Sequence, residues 1–175
     1  LINRKAFCFF KLGEWQIADS LFHKAVDIAT QTGNTNTVDF ATLLVDLSAQ
    51  CGRMGKYEEA LDVGERALKI QTEILGETHQ KTLRTRRNIG LVYEFMGQLD
   101  KGRDTYLECL AVFDHNNLPK DLTYASLNRD VAMLIVSSGQ FSASKPYFLK
   151  AVNLTKQLYG EVSNEYVQMF YSYCW

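Results

Sequence analysis

Four cysteines and three histidines are the residues of this sequence that ordinarily carry metal or nucleophilic chemistry. Cys8, Cys51, Cys109 and Cys174 lie far apart, and no two have the close spacing by which paired thiolates grip zinc. His23, His79 and His115 are equally scattered, so none has a neighbour to complete a ligand set or a nucleophile–base pair. The sequence contains neither a glycine-rich phosphate loop ending in Lys-Ser or Lys-Thr nor a Gly-x-Ser-x-Gly elbow. The cysteines are therefore expected to be small buried core residues in a reducing, cytoplasmic setting. His79 is expected to shape the entry to a helix. Glu58 and Glu59 suit the positive end of a helix dipole. Glu65, Arg66 and Lys69 suit a solvated helical face with pairing between residues four apart. No enzyme is expected, and no cofactor or metal is implied.

Bulk properties narrow the partner. Hydrophobic residues make up 46% of the 175 positions, net charge is -1 and the pI is about 6.3. That balance supports a packed core and gives no reason to expect nucleic acid or an anionic membrane as partner. No apolar run is long enough to span a bilayer. Two prolines, Pro119 and Pro146, against a wealth of Leu, Ala, Lys, Glu and Gln favour helix. The opening Leu1-Ile2-Asn3-Arg4-Lys5 has no signal-peptide layout, and the chain reads as an excised piece of a longer one.

The elements that would position any site emerge from a period. Glycines at 13, 55, 97 and 139 are 42 residues apart. The same step relates Ala18, Ala60, Gly102 and Ser144, and also Ala25, Ala67, Cys109 and Ala151, all small. It relates Ile28, Ile70, Val112 and Leu154, all aliphatic, and Trp15, Tyr57, Leu99 and Phe141, all large and apolar. Ahead of the glycine, Ala6, Ser48, Gly90 and Ala132 are small, and Phe9, Cys51, Tyr93 and Ile135 apolar.

Within a period, positions 44, 47, 48 and 51 fall on one helical face, as do 60, 63, 67, 70 and 74, with Met54-Gly55-Lys56 as the turn between. Each period is therefore two antiparallel helices whose small residues let the axes approach closely. Thr37, His79, Asp121 and Ser163 mark the helix starts, three of them good N-caps. Helices are expected over 38–53, 57–74, 80–95, 99–115, 122–137 and 141–158. The division is an incomplete first repeat over 1–36, repeats at 37–78, 79–120 and 121–162, and the first helix of a truncated repeat over 163–175. Pro146 should distort its helix slightly without breaking it.

Tyr57-Glu58-Glu59-Ala60-Leu61, Glu65 to Ile70, Leu75-Gly76-Glu77-Thr78-His79 and Thr82 to Asn88 together resemble the 42-residue tetratricopeptide repeats of kinesin light chains. The resemblance runs along essentially the whole chain. Gln80 departs from it where the family has proline, and the family's asparagine, Asn88, is matched by Arg4, Asp46 and Asp130 in the other repeats. The resemblance implies an all-α, right-handed superhelical solenoid of antiparallel helix pairs.

It further implies a concave groove lined by the first helix of each repeat. Removing the buried columns leaves for that groove columns that include Arg53 and Phe95, Arg87 and Arg129, Asn88 and Asp130, and Leu91 and Met133, with Arg84 expected to flank them. Arginine forks pair with carboxylates, and asparagine bonds an extended backbone. Arg87 and Arg129, one period apart, are expected to act as matched forks. The expected function is a protein-interaction scaffold that takes a partner peptide, acidic or mixed with an apolar anchor. Kinesin light chains take cargo-adaptor peptides of tryptophan-plus-acidic type, which the resemblance carries over as an expectation. The alternative is a regulatory or self-assembly arm of a larger signalling protein. The final helix, with Phe170-Tyr171-Ser172-Tyr173-Cys174-Trp175, is expected to be exposed and to drive self-association.

Overall fold

The structure is a computed structural model that describes residues 2–174. Among the described residues there are nine α-helices and no strand. They are α1 (Ile2–Leu12), α2 (Trp15–Gln31), α3 (Val38–Arg53), α4 (Tyr57–Leu75), α5 (Gln80–Phe95), α6 (Leu99–His115), α7 (Leu122–Ser137), α8 (Phe141–Tyr159) and α9 (Asn164–Cys174). None is long and apolar enough to cross a membrane. No group of three or more His, Cys, Asp or Glu side chains among the described residues is placed to hold a metal. The chain divides into two compact units, Leu1–Gln98 and Leu99–Trp175.

The helix starts are fixed by side chains one period apart. Thr37 accepts from the Phe40 N–H at 3.1 Å, and Asp121 from those of Thr123 and Tyr124 at 2.8 and 3.1 Å. Ser163 accepts from the Tyr166 N–H at 3.1 Å. His79, the one residue in this column outside the usual capping types, does the same work with a ring nitrogen: Nδ1 accepts from Lys81 N–H at 3.1 Å. Four first turns thus have a first-turn N–H satisfied in the same way.

The hairpin turns are equally regular. Gly13, Gly55, Gly97 and Gly139 all take φ between 74° and 80°, a left-handed conformation that costs glycine nothing. The following residue then donates its N–H back to the helix end: Glu14 to Phe9, Lys56 to Cys51, Gln98 to Tyr93 and Gln140 to Ile135, at 2.9 to 3.1 Å. Pro146 lies within α8, which continues unbroken from Phe141 to Tyr159.

In the first unit α1 packs with α2 and α3 with α4, and α5 rests against α3 and α4. Its core is built on the small columns: Ala6, Ala18, Ala41, Ala60 and Ala67 are fully buried beside Phe22, Leu44 and Cys51. In the second unit α7 packs with α6 and α8, and α9 lies on α8. Ala125, Ala151, Val152 and Met169 form a cluster there. One expectation needs correction. Cys51 and Cys109 are buried, but Cys8 is exposed on α1, because the core-facing turn of that helix is taken by Ala6. Glu65, Arg66 and Lys69 are exposed, as a solvated face requires. From that face Glu65 also accepts from the Tyr93 hydroxyl at 3.4 Å, and the Arg66 guanidinium lies 5.4 Å from the Phe40 ring centre.

One column breaks its own pattern. Phe22, Gly64, Tyr106 and Phe148 share a place in successive repeats. The three rings are buried. At Gly64, a Cβ would come 3.1 Å from Ser48 Oγ and 3.3 Å from Ile89 Cγ1. Ser48 cannot swing aside freely, since its hydroxyl donates to the Ala60 carbonyl at 2.7 Å. Gly64→Ala should therefore cost about 1–3 kcal/mol by overpacking despite the better helix propensity of alanine. Adding Ser48→Ala should return part of that loss. Urea unfolding of both variants checks it, and a stabilised single variant would show that α3, α4 and α5 are less closely set.

Candidate functional site

Where the other repeats carry a ring, the first unit carries a cavity of about 490 Å³ between α3, the start of α4, and α5. Small residues on α3, Ser48, Ala49 and Gly52, make up one wall, Gly64 is the floor contributed by α4, and Asn88, Leu91 and Val92 face them from α5. Tyr57 and Phe95 stack at one end, ring centres 6.1 Å apart. Arg53 also lines the cavity, and its guanidinium rests 5.0 Å from the Phe10 ring centre and 5.7 Å from that of Trp15. This cation is held flat against aromatic faces and needs no carboxylate to position it.

A smaller polar pocket of about 170 Å³ adjoins the first and shares Val45, Thr85 and Asn88 with it. Asp46, Gln71, Lys81 and Arg84 also line it. Burial pushes the Asp46 carboxyl above its ordinary range, against the opposing hydrogen bond from Asn3 and the charge of Lys11. Gln71 is buried, and its Oε1 has no hydrogen-bond partner among the described residues. Arg84 is exposed on α5 and forms no ion pair with a described residue, and the half-buried Asn88 amide forms no hydrogen bond with one. Asn88 thus stands at the junction of an apolar and a polar pocket, its amide bonded to no described residue.

The remaining groove candidates are placed differently. Arg87 is half-buried on α5, lines neither pocket and is already engaged within the protein. In the second unit the Arg129 fork closes on the adjacent Asp130, Nε and Nη2 lying 3.1 and 2.8 Å from Oδ1. Asp130, expected in the groove, is buried, and so acts on Arg129 and not on solvent. Met133 is exposed on the same helix. Sequence reasoning missed Gly64 and Tyr57 as parts of a site, whereas Phe95, one period after Arg53, already stood in a groove column and lines the cavity. The signal was present for Gly64, the only non-aromatic residue in its column.

Residues 39–115 match the tetratricopeptide repeat family. The chain is 30% identical over 104 residues to the human cell division cycle protein 16 homolog, covering 59% of this chain and 16% of that protein. It is 22% identical over 144 residues to the Arabidopsis thaliana protein kinesin light chain-related 3, covering 82% of this chain and 22% of that one. The chain therefore spans less than a quarter of the length of either relative. A solved Podosopora anserina structure of nearly identical, kinesin-light-chain TPR-like repeats superposes with a TM-score of 0.81 at 16% identity, over 98% of this chain and 81% of that one. At that identity the likeness establishes a common fold. With the nine helices among the described residues, the repeated caps and turns and the matched segment, it gives the chain an all-α fold of tetratricopeptide-like helix pairs, similar to the repeats of kinesin light chains.

Proposed function

We propose that the first unit holds an extended acidic segment of a partner protein, with one large apolar side chain of that segment in the Gly64 cavity. Tetratricopeptide repeats are protein-interaction scaffolds, and the finer reading concerns what this one grips. The observation that carries it is the adjacency of the two pockets. An apolar anchor enters the 490 Å³ cavity, and a neighbouring carboxylate reaches the polar pocket where Arg84 forms no ion pair with a described residue. Asn88, between them, bonds the peptide backbone in both directions. Buried aromatic anchors dominate the affinity of such surfaces, and rim charges add rate and selectivity. On α7 the Arg129 and Met133 side chains offer a similar mixed face, weakened for acidic ligands because Asp130 already takes the fork.

Calorimetry with a short peptide carrying one tryptophan flanked by Asp and Glu tests this. Ala49 is exposed and lines the cavity, so Ala49→Trp fills the anchor site without touching the core. It should cost about 2 kcal/mol or more of binding, the scale of an interface hot spot. Arg84→Glu should cost about 1 kcal/mol, as a rim charge does, and the loss should shrink at high salt. Arg129→Glu should cost less than Arg84→Glu. Full affinity in Ala49→Trp would place the partner elsewhere.

A second association rests on a different observation. Val167 on α9 is 40% exposed, whereas its counterparts one, two and three periods earlier, Ala125, Leu83 and Ala41, are buried. Phe170 and Tyr171 extend the same exposed patch. A second copy of this chain docked there would cover it. Sedimentation should show concentration-dependent association that Val167→Asp and Tyr171→Asp abolish. These substitutions are preferable to deleting the helix, because Met169 is buried against Ala151 and Val152. A monomer at all concentrations in the unsubstituted protein would remove the idea. Trp175 lies outside the described residues.

A further inference from the structure

A compact charge cluster ties α2 to α4, and its central member is His23. The ring Nδ1 lies 2.9 Å from the backbone carbonyl of Asp19, one turn back on α2. Nε2 lies 2.8 Å from Glu59 Oε1 in the first turn of α4. A carbonyl oxygen only accepts, so Nδ1 carries a hydrogen. A carboxylate also only accepts, so a neutral ring would set the Nε2 lone pair against Oε1 at 2.8 Å. One more proton must lie between them. Glu59 stands at the positive end of α4, with Lys56 Nζ 3.9 Å from its other oxygen. Those positive charges suit a carboxylate there, which leaves the ring as the holder of the proton.

We propose that His23 is a doubly protonated imidazolium whose proton gates a clamp between the second helices of the first two repeats, closed when the ring is charged and loosened when it is neutral.

The surroundings balance only in the charged state. Lys56 Nζ lies 2.9 Å from Asp19 Oδ2, a second tie between α2 and the start of α4. Asp19 Oδ1 is 3.6 Å from His23 Nδ1 and buried with no hydrogen-bond partner among the described residues. On α3, burial together with the nearby Glu59 and Asp19 charges pushes the Cys51 thiol up to about 12, so it stays neutral and adds no charge. His23 and Lys56 thus face Asp19 and Glu59, two against two. Loss of the ring proton leaves two carboxylates against one ammonium.

The titration follows the geometry. Burial alone would lower the His23 pKa, but the hydrogen bonds to the Asp19 carbonyl and to Glu59, with the charges of Asp19 and Glu59, outweigh it and leave it above 6.5. A folded-state pKa raised in this way gives stabilisation that is complete below 6.5 and fades as pH rises through the folded value. The clamp therefore opens as pH rises through the folded-state value, above 6.5.

Long-range proton–nitrogen correlation spectra of histidine-labelled protein, with His23→Gln for assignment, read the ring directly. Both nitrogens should be protonated at pH 6.5, with a titration midpoint above that value. A neutral ring at pH 6.5 overturns the proposal. Hydrogen exchange in the first turn of α4, corrected for its intrinsic pH dependence, supplies the second readout. Between about pH 6 and about pH 8.5, which spans the histidine range, opening should increase several-fold in the unsubstituted protein. In Glu59→Gln the amide can donate to a neutral Nε2, so this rise should vanish and the variant should be the tighter of the two at high pH. Identical pH profiles in the two proteins also overturn it, since a merely structural contact would not distinguish them.

Discussion

The close approach of helix axes at a few small residues is the constraint from which the rest follows. Ala18 and Ala60 are fully buried, as are Ala6, Ala67 and Ala151. A methyl group at these places lets neighbouring helices interlock near the lower limit of their separation. Once that spacing is set, each large side chain has a fixed volume to fill, and Phe22, Tyr106 and Phe148 fill it. Gly64 brings no ring to that place. A Cβ there would press on Ser48 and Ile89. Beside it the small residues Ser48, Ala49 and Gly52 face Asn88, Leu91 and Val92 and leave the gap unfilled. A cavity open to solvent is the result.

Much of the fold was legible because it is periodic. Apolar spacing of three and four, the glycine turns and the start-marking residues each recur every 42 positions, so three weak local signals reinforce one another. The predicted helix bounds agree with α3 to α8 to within a residue. What periodicity cannot see is a side chain that works outside its column type. His79 looked like the odd member of the cap column, yet a ring nitrogen accepts an N–H as an oxygen does. Cys8 looked like a core residue because cysteine usually is one, but exposure in the first helix is set by rotation about its axis, and Ala6 had taken the inward place.

The groove was less legible, for an electrostatic reason. Elimination of buried columns picks out which residues face outward, and says nothing of what each is already bonded to. Arg84, Arg87 and Arg129 look alike in sequence. In the structure Arg84 forms no ion pair with a described residue, Arg87 is engaged and Arg129 is locked by the next residue along. The partner of Arg129 comes from the same column that supplies Asn88 on α5. Aspartate in place of asparagine in that column puts a carboxylate where α5 has an amide, and the carboxylate consumes the nearest fork. Repeats with one backbone plan are thereby made to present different chemistry.

The two charge systems of the first unit differ in the same respect. Around Asn88 and Arg84 bonding capacity is left unused at a pocket, the condition for taking a ligand whose own groups complete it. Around His23 every charge has its opposite, and the cluster is complete within the protein. Completeness makes it a poor site for a partner and a good place for a switch, because a balanced quartet is most disturbed by the loss of one proton. Glu59 of one system and the Gly64 floor of the other lie five residues apart on α4. Any change in how α4 is held to α2 therefore acts on the helix that forms part of the cavity.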